Sequence, residues 1–244
     1  MAENYFTAGQ TEWLKLRRGK ITSSEYHKLT KGGRRDMTEE ELAEEKKRGG
    51  KRKTIDTLFG EGAITYITSR ITEMQSSEIK EETDFKQTEW GKNNEAAAAE
   101  HFEAITGLSI IHYGISCPKF FPYGDYAGGS PDFEVIHKPE IGEIKCPYDE
   151  NVHTRRLLIK SIDQFKEEEP EAWHQCQMNT FIMGKEACYY ASFDPRRIDP
   201  TLRMKIIKIK ACPIWQEDFK IRHDAAINLM ADILFDTSQY LFVE

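Results

Sequence analysis

The chain has 244 residues, of which 39% are hydrophobic and 31% charged, so it suits one large soluble domain or two small ones. It has no run of about 18 apolar residues, and its first ten residues lack the basic region and apolar core of a secretory signal. We therefore expect a cytoplasmic protein. The net charge of −7 disfavours nucleic-acid binding only as an average, because the distribution of basic residues matters more.

The five cysteines are scattered along the chain and form no Cys-x-x-Cys pair. An odd count with this spacing argues against a disulfide scaffold, a zinc site or an iron–sulfur cluster. We expect the thiols to be reduced and mostly buried.

The first half of the chain is predicted to be mainly helical. A short helix should begin near Ser24–Leu29, capped by Thr22 or Ser23. Apolar residues recur at helical spacing from Ile55 to Met74 and predict one long amphipathic helix. Lys86–Thr106 predicts another helix, which Gly107 would end.

A charged segment with nine basic residues lies between Lys31 and Lys53. Within it, Thr38 and Glu41 have the spacing of a capping box for a short helix. The segment is either a solvated, partly mobile loop or an arm that follows a phosphate backbone, and the sequence leaves both open.

The second half predicts strands and helices in alternation. Strands are expected at Leu108–Ser116, in two arms of a hairpin within 130–147, at Ala187–Phe193 and at Met204–Ala211. Helices are expected at Val152–Phe165, Glu171–Met183 and Trp215–Phe235. This order predicts an α/β fold with a central mixed β-sheet flanked by helices. We expect one domain over 1–244, with a helical portion at about 1–85, a core at about 86–212 and a last helix at about 213–236.

The hairpin carries the strongest chemical signal. Residues two apart on a strand share a face, so Glu143 and Lys145 point the same way, and Asp132 on the partner arm can approach Glu143. Two carboxylates and the carbonyl of Ile144 would suit Mg²⁺ or Mn²⁺, and Lys145 would lie beside the metal. A Glu-x-Lys pair is also common on solvated strands, so the hairpin alone does not settle its role.

Two helices add polar residues on apolar faces. Glu95 shares a face with Ala98 and Phe102, where a carboxylate is costly unless it is paired or bound to a cation. Gln177 shares a face with Trp173 and Phe181. Each also has a simpler explanation, a Glu at the edge of its stripe and a satisfied core amide.

Taken together, these residues resemble the phage lambda exonuclease family, the YqaJ-like viral recombinases of the PD-(D/E)xK nuclease group. The resemblance extends from about Thr11 to Arg197. Its motifs occur in order as Trp13-Leu-Lys-Leu-Arg17-Arg-Gly-Lys-Ile-Thr-Ser-Ser24-Glu, Trp90-Gly-Lys-Asn-Asn-Glu95, Ser130-Pro131-Asp132, Glu143-Ile144-Lys145-Cys146-Pro147, His174-Gln-Cys-Gln177-Met and Tyr189-Tyr-Ala-Ser-Phe-Asp-Pro-Arg196.

The resemblance implies a restriction-endonuclease-like core and a role for each matched residue. Lys145 would be the catalytic lysine, and Gln177 would orient it or the attacking water. Arg17, Ser24 and Ser130 would line a pocket for the 5′-phosphate, for which a guanidinium and hydroxyls are suited. The implied metal ligands are Asp132, Glu143, the carbonyl of Ile144, and Glu95.

The implied activity is Mg²⁺-dependent, 5′-to-3′ degradation of one strand of duplex DNA from an end. The 3′ overhang would serve a single-strand annealing partner in recombination, and family members can form homotrimeric rings around DNA. The alternatives are an endonuclease or resolvase on the same scaffold, and a non-catalytic protein that binds DNA ends. The charged segment between Lys31 and Lys53 has no match in the family pattern.

Overall fold

The computed structural model describes residues 8–78, 86–114 and 118–239. No helix within these ranges is both long and apolar enough to cross a membrane. The helices are α1 (Ala8–Arg17), α2 (Glu39–Lys47), α3 (Glu61–Gln75), α4 (Lys86–Thr106), α5 (Glu150–Leu157), α6 (Ile162–Glu168), α7 (Pro170–Ile182) and α8 (Pro213–Gln239), with 3₁₀ turns at Tyr26–Leu29 and Pro200–Leu202. The strands are β1 (Ile21–Thr22), β2 (Gly33–Asp36), β3 (Thr54–Thr57), β4 (Ile110–His112), β5 (Phe121–Tyr123), β6 (Ala127–Gly129), β7 (Phe133–Val135), β8 (Glu140–Lys145), β9 (Ala187–Phe193) and β10 (Met204–Lys210).

The central sheet has five strands in the order β10-β9-β8-β7-β4. The β8–β9 pair is parallel, and the other three pairs are antiparallel. The predicted α/β class with a mixed sheet is therefore confirmed. The predicted hairpin is the β7–β8 pair, in which Phe133 lies opposite Gly142.

The central sheet is buried on both faces. Because side chains alternate along β9, Cys188 and Tyr190 join a core cluster with α7 and α8, whereas Tyr189 and Ala191 join a second cluster with α4. Complete burial of a large apolar side chain such as that of Phe102 on α4 contributes about 1.5–3 kcal/mol. The sheet is therefore packed between helices on both of its faces.

A smaller sheet brings the N-terminal segment to the hairpin. Strand β1 pairs in parallel with β6, and β6 pairs with β5. The pairing places Thr22 opposite Gly128, two residues before Ser130. Residues of α1 and of the loop after β1 are thereby brought beside the start of β7.

The predicted helix from Ile55 to Met74 is wrong in its first turn. Thr54–Thr57 is strand β3, paired with β2, and α3 begins at Glu61 after Gly60. A Cβ on Gly60 would lie 2.8 Å from the carbonyl oxygen of Gly32, so the chain passes too close there for a side chain. Of the portion expected to be helical, about 1–85, the described residues 8–78 also contain β1, β2 and β3, so this part is less purely helical than expected.

Two further helix predictions need correction. The segment Val152–Phe165 forms two helices, α5 and α6, because Ser161 caps α6 through its hydroxyl and interrupts the run. The helix expected at Ser24–Leu29 is a 3₁₀ turn at Tyr26–Leu29, and its N-cap residue Glu25 makes no side-chain capping bond.

Several other elements agree with prediction. Helix α4 has the predicted bounds and is followed by Gly107 in the left-handed region, with φ of 67°. The helices expected at Glu171–Met183 and Trp215–Phe235 are α7 and α8, and the last two predicted strands are β9 and β10. The cysteines of the described ranges are free thiols, with Cys176 and Cys188 buried and Cys146 and Cys212 half-buried. Cys117 and the last two residues of the strand predicted at Leu108–Ser116 lie outside the described residues.

The charged segment forms β2 and α2 and leads into β3, and we call these three elements the arm. The predicted capping box is present, with Thr38 and Glu41 each bonding the other's backbone N–H. Ion pairs within the arm join Arg34 to Asp56, Arg35 to Glu41, Arg48 to Glu44 and Arg52 to Glu45. Within the described residues, no ion pair is made by the side chains of Lys46, Lys47, Lys51 and Lys53.

Candidate active site

The hairpin places Asp132 directly beside Glu143. Asp132 precedes β7, and its backbone N–H donates to the carbonyl of Gly142 at 2.9 Å. Its carboxylate accepts a hydrogen bond from the backbone N–H of Ile144 at 2.5 Å. The side chain of Asp132 is thereby fixed across the hairpin at the position where Glu143 and Lys145 leave β8.

Glu143 is a buried carboxylate, with only 2% of the residue exposed. Its Oε1 accepts hydrogen bonds from Lys145 Nζ at 2.6 Å and from Gln175 Nε2 at 2.5 Å. Asn179 Nδ2 donates to Oε2 at 3.4 Å. Burying a carboxylate costs free energy unless hydrogen bonds replace those to water. The side chains of Lys145, Gln175 and Asn179 supply these hydrogen bonds to Glu143.

Glu95 reaches the same place from α4. Its Oε1 lies 2.9 Å from His112 Nε2 on β4. Glu95, Asp132 and Glu143 all line one cleft of about 200 Å³. The cleft is also lined by two lysines, Lys92 and Lys119.

The carboxylates of the cleft disfavour one another's charge. Burial, followed by the negative charges of Glu143 and Glu95, raises the pKa of Asp132 well above its usual range. Burial also raises the pKa of Glu143, with Lys145 acting against it. Burial would lower the pKa of Lys145, but Glu143 and Asp132 outweigh it and raise that pKa.

A divalent cation fits this donor set. It would relieve the repulsion among oxygen ligands, which Mg²⁺ and Mn²⁺ prefer. Within the described ranges, however, no three His, Cys, Asp or Glu side chains already form a metal-binding group. The oxygens of Glu143 face Lys145, Gln175 and Asn179, and Glu95 faces His112, so ligation would require these contacts to loosen.

The structure does not place Gln177 at this site. Gln177 is completely buried, donates to the carbonyl of Lys210 at 2.8 Å and accepts from the N–H of Cys212 at 2.9 Å. It joins α7 to the end of β10, which is the satisfied core amide named as its simpler explanation. A residue two positions away on a helix points to nearly the opposite side, and Gln175 is the one that faces Glu143.

Gln175 and Asn179 were missed from the sequence although a signal was present. They are four residues apart on α7, so they share one face of the helix, and both are buried. Two amides on a buried helix face indicate a shared polar partner, here Glu143.

The three side chains predicted for phosphate binding lie close to one another. Arg17 and Ser130 line the cleft, and Arg17 Nη2 lies 3.5 Å from Ser24 Oγ. Trp13, which was not given a role, donates from Nε1 to Ser130 Oγ at 3.0 Å. The guanidinium of Arg17 stacks over the Trp13 ring at 4.1 Å from its centroid, so these contacts hold the guanidinium at the edge of the cleft.

The mixed sheet flanked by helices is a lambda-exonuclease-like fold. A solved alkaline exonuclease from Laribacter hongkongensis, LHK-Exo, is 18% identical with a TM-score of 0.68, covering 94% of this chain and 97% of that one. The structure of LHK-Exo in complex with dAMP is 19% identical with a TM-score of 0.69, and it covers 94% of this chain and 97% of that one. A phage-related exonuclease from Haemophilus somnus 129PT is 14% identical with a TM-score of 0.65, covering 92% and 99%. At these identities the likeness establishes the fold.

The family follows from the sequence itself. The model of the YqaJ-like viral recombinase domain matches residues 12–186. Because this match covers well over half of the chain, the protein belongs to that family. No curated protein matches the chain.

Proposed function

We propose that the protein is a metal-dependent exonuclease that degrades one strand of linear double-stranded DNA in the 5′-to-3′ direction. It would start at a 5′-phosphorylated end and leave a 3′ overhang for recombination by strand annealing. The observation that carries this proposal is the hairpin, where Asp132 bonds the backbone N–H of Ile144 and Lys145 pairs with Glu143, and whose two carboxylates share a cleft with Glu95. Membership of the recombinase family and the exonuclease fold support the same activity.

Mg²⁺, or alternatively Mn²⁺, would be held by Asp132, Glu143, the carbonyl of Ile144, and Glu95. Such an ion, when bound, supplies Lewis-acid stabilisation of the phosphoryl oxygens and a more acidic water. The donor set suits it because three carboxylates line one cleft. His112 would fix the orientation of Glu95 through its 2.9 Å contact.

The remaining chemistry belongs to side chains of the protein. The Lys145 ammonium would neutralise charge that develops on the phosphoryl group and position the attacking water. Gln175 would keep Glu143 oriented through its hydrogen bond to Oε1. Lys145 Nζ lies 2.6 Å from Glu143 Oε1, so the ammonium is beside the carboxylate that would hold the ion.

The terminal 5′-phosphate would be bound by Arg17, with Ser24 and Ser130 beside it. A guanidinium and two hydroxyls offer several donors to a phosphate dianion. Stacking on Trp13 fixes the plane of the Arg17 guanidinium, which favours a single orientation of the bound phosphate. Recognition of the end would explain why degradation begins there.

The experiment that tests the proposal is digestion of linear duplex DNA in Mg²⁺. Ends with a 5′-phosphate are compared with 5′-hydroxyl ends, and a relaxed closed circle is the control. We expect only linear DNA to be shortened, and the phosphorylated ends to be degraded faster. Equal cutting of the circle would favour an endonuclease or resolvase, and DNA binding without any cleavage would favour a non-catalytic end-binding protein.

Lys145→Ala tests the mechanism within the same assay. We expect cleavage to be abolished while DNA binding in EDTA is retained, because the lysine acts on the developing charge. Lys138→Ala is the matched control, since Lys138 is an exposed lysine in the turn of the same hairpin. Full activity of the Lys145 variant would contradict the proposed mechanism.

Two kinds of partner belong to the proposed function. A homotrimeric ring would keep the enzyme on its DNA, and sedimentation of the purified protein would give its mass relative to the 28.3 kDa chain. A single-strand annealing protein would take over the 3′ overhang, and co-purification of the two proteins would test that step.

A further inference from the structure

An aromatic and cationic cluster lies beside the candidate active site. Trp90 on α4, Tyr148 in the loop after β8, and Arg196 in the segment after β9 meet there. The Trp90 and Tyr148 ring centroids are 6.2 Å apart with an edge-on angle of 82°, and the Arg196 guanidinium lies 4.4 Å from the centroid of Trp90. We call these three residues the Trp90 cluster.

Hydrogen bonds to neighbouring groups hold Arg196 and the backbone of Tyr148 in place. Arg196 donates from Nε and Nη2 to the carboxylate of Asp194 at 2.8 and 3.1 Å, and Asp194 has no exposed surface. Arg196 Nη1 also donates to the carbonyl of Tyr148 at 3.0 Å. Both the guanidinium and the backbone of Tyr148 are therefore fixed before any ligand arrives.

The Tyr148 ring is the part of the cluster that faces solvent. The residue is 47% exposed, and within the described ranges its hydroxyl makes no hydrogen bond. Its only ring partner in those ranges is Trp90. An aromatic ring that is fixed at its backbone and about half exposed can stack against a flat partner.

The cluster adjoins the catalytic side chains through two elements. Tyr148 follows Lys145 by three residues, so their Cα atoms are at most about 11 Å apart. Trp90 precedes Glu95 by five residues on α4. The helix lies against the loop here, because a Cβ on Gly91 would be 4.0 Å from the carbonyl oxygen of Cys146.

We propose that the Trp90 cluster binds an unstacked base of single-stranded DNA next to the scissile phosphate, with the base stacked on Tyr148 and with Arg196 contributing its cationic face. This rests on the proposed function. In a duplex the bases are covered by their neighbours, so only a separated strand can use such a ring. The cluster would therefore hold the strand that has left the duplex.

The test measures binding of the whole protein in EDTA, where no cleavage occurs. The probes are a labelled oligo-dT of about 12 nucleotides, the same length with abasic sites in place of bases, and a blunt duplex. The variants are Tyr148→Ala and Tyr148→Phe. Phe235→Ala is the control, because Phe235 is an exposed aromatic on α8 that lies outside the cluster.

We expect Tyr148→Ala to weaken oligo-dT binding by at least about fivefold, whereas its duplex binding changes less than about twofold. Tyr148→Phe should restore oligo-dT binding, since it keeps the stacking face. The wild-type protein should bind the abasic strand as weakly as Tyr148→Ala binds oligo-dT. This last result separates base stacking from contacts to phosphates.

Three results would overturn the proposal. They are unchanged oligo-dT binding by Tyr148→Ala, equal losses for single strand and duplex, and tight wild-type binding of the abasic strand. The proposed exonuclease can fail separately, because the same wild-type preparation is assayed for cleavage of linear duplex in Mg²⁺. Cleavage with a failed stacking test rejects only the cluster, and stacking without cleavage rejects only the enzyme.

Discussion

At the scale of single residues, Gln175 and Gln177 lie two positions apart on α7 and bind different partners. Gln175 donates to the buried carboxylate of Glu143, and Gln177 joins the helix to the segment after β10. Both amides are satisfied, so neither is a defect of the core. What distinguishes them is whether the partner is a group that takes part in chemistry.

We expect Gln175→Ala to lower cleavage by about 10- to 100-fold, because a residue that orients a catalytic carboxylate is removed. Gln177→Ala should instead leave two backbone groups unpaired and cost about 2–3 kcal/mol of stability, with normal activity per folded molecule. Rates on linear duplex and urea denaturation of both variants would check this pair. An inactive but stable Gln177 variant would contradict the assignment.

The residues brought together by the hairpin could be predicted from the sequence because strand alternation and a short turn fix their relation. Asp132, Glu143 and Lys145 converge for this reason. Gln177 was predicted at the site from the family resemblance. A short motif on a helix does not determine which of two nearby glutamines faces the site. Their catalytic roles remain predictions.

At the scale of elements, the hairpin depends on a close contact between its two strands. Phe133 is fully buried and lies opposite Gly142, and a Cβ on Gly142 would be 1.8 Å from the Phe133 ring. The ring therefore covers the glycine and fills the space above the partner strand. The same two strands carry Asp132 and Glu143, so the packing of this pair sets the geometry of the site.

Gly142→Ala should destabilise the protein by about 1–3 kcal/mol, because the Phe133 ring has to move within a packed core. Cleavage should fall as well, since Asp132 and Glu143 flank this pair. Gly62→Ala is the matched control, because a Cβ at this exposed helical position meets no atom within 4 Å. This substitution should raise the free energy of unfolding by up to about 1 kcal/mol. Thermal unfolding of both variants would measure the difference, and an unaffected Gly142 variant would refute it.

Element boundaries were less predictable wherever a distant partner decided them. Ile55 fits the apolar period of α3, but Thr54–Thr57 pairs with β2 and becomes a strand. That pairing is invisible to a local pattern, although β-branched residues favour it. By contrast, the bounds of α4 depend on its own sequence and on Gly107, and they were predicted.

The arm formed by β2, α2 and β3 offers a test of the phosphate-backbone hypothesis. Replacing Lys46, Lys47, Lys51 and Lys53 by Gln removes four positive charges and leaves the Arg–Glu pairs that hold the arm. If these lysines bind phosphates, the slope of log affinity against log salt should fall by about 0.9 for each phosphate that is no longer neutralised. Lys138→Gln and Lys160→Gln serve as controls outside the arm. An unchanged slope would favour an arm whose lysines are only solvated and bind no phosphate.

At the scale of the whole molecule, contacts between residues distant in sequence join the last helix to the N-terminal region, and the first helix to the hairpin. Arg222 on α8 donates from Nη1 to the carbonyls of Leu29 and Leu58 at 3.0 and 2.9 Å. Trp13 on α1 reaches Ser130 at the start of the hairpin. The expectation of a single domain over 1–244 remains a prediction, and a single cooperative unfolding transition would support it.

His174 couples this core to pH. It accepts a hydrogen bond on Nδ1 from Trp215 Nε1 at 2.8 Å, next to the ring of Tyr26. Burial, followed by the charge of His27, lowers the pKa of His174 from 6.5 to about 4, although Asp218 acts against this. Burial also lowers the pKa of His153, which lies between Ser192 and the carbonyl of Leu202. Both imidazoles are therefore neutral in the folded state at neutral pH.

The contribution of these two histidines to stability should consequently fall in mild acid. The unfolded chain takes up a proton on each of these histidines near pH 6.5, whereas folded His174 resists protonation until about pH 4, so the unfolded state binds more protons between these values. The His174 contribution is fully present above pH 6.5 and is lost as the pH falls toward 4, for a total of about 2 kcal/mol after allowance for its partial exposure.

Urea denaturation at about pH 7.5 and about pH 5 would measure this loss. We expect His174→Gln to reduce the difference between the two midpoints, because Gln cannot be protonated yet can still accept from Trp215. His137→Asn, at an exposed residue in the hairpin turn with φ of 62°, is the control and should leave the difference unchanged. If His174→Gln kept the full pH dependence, other titrating groups would have to account for the acid sensitivity of the fold.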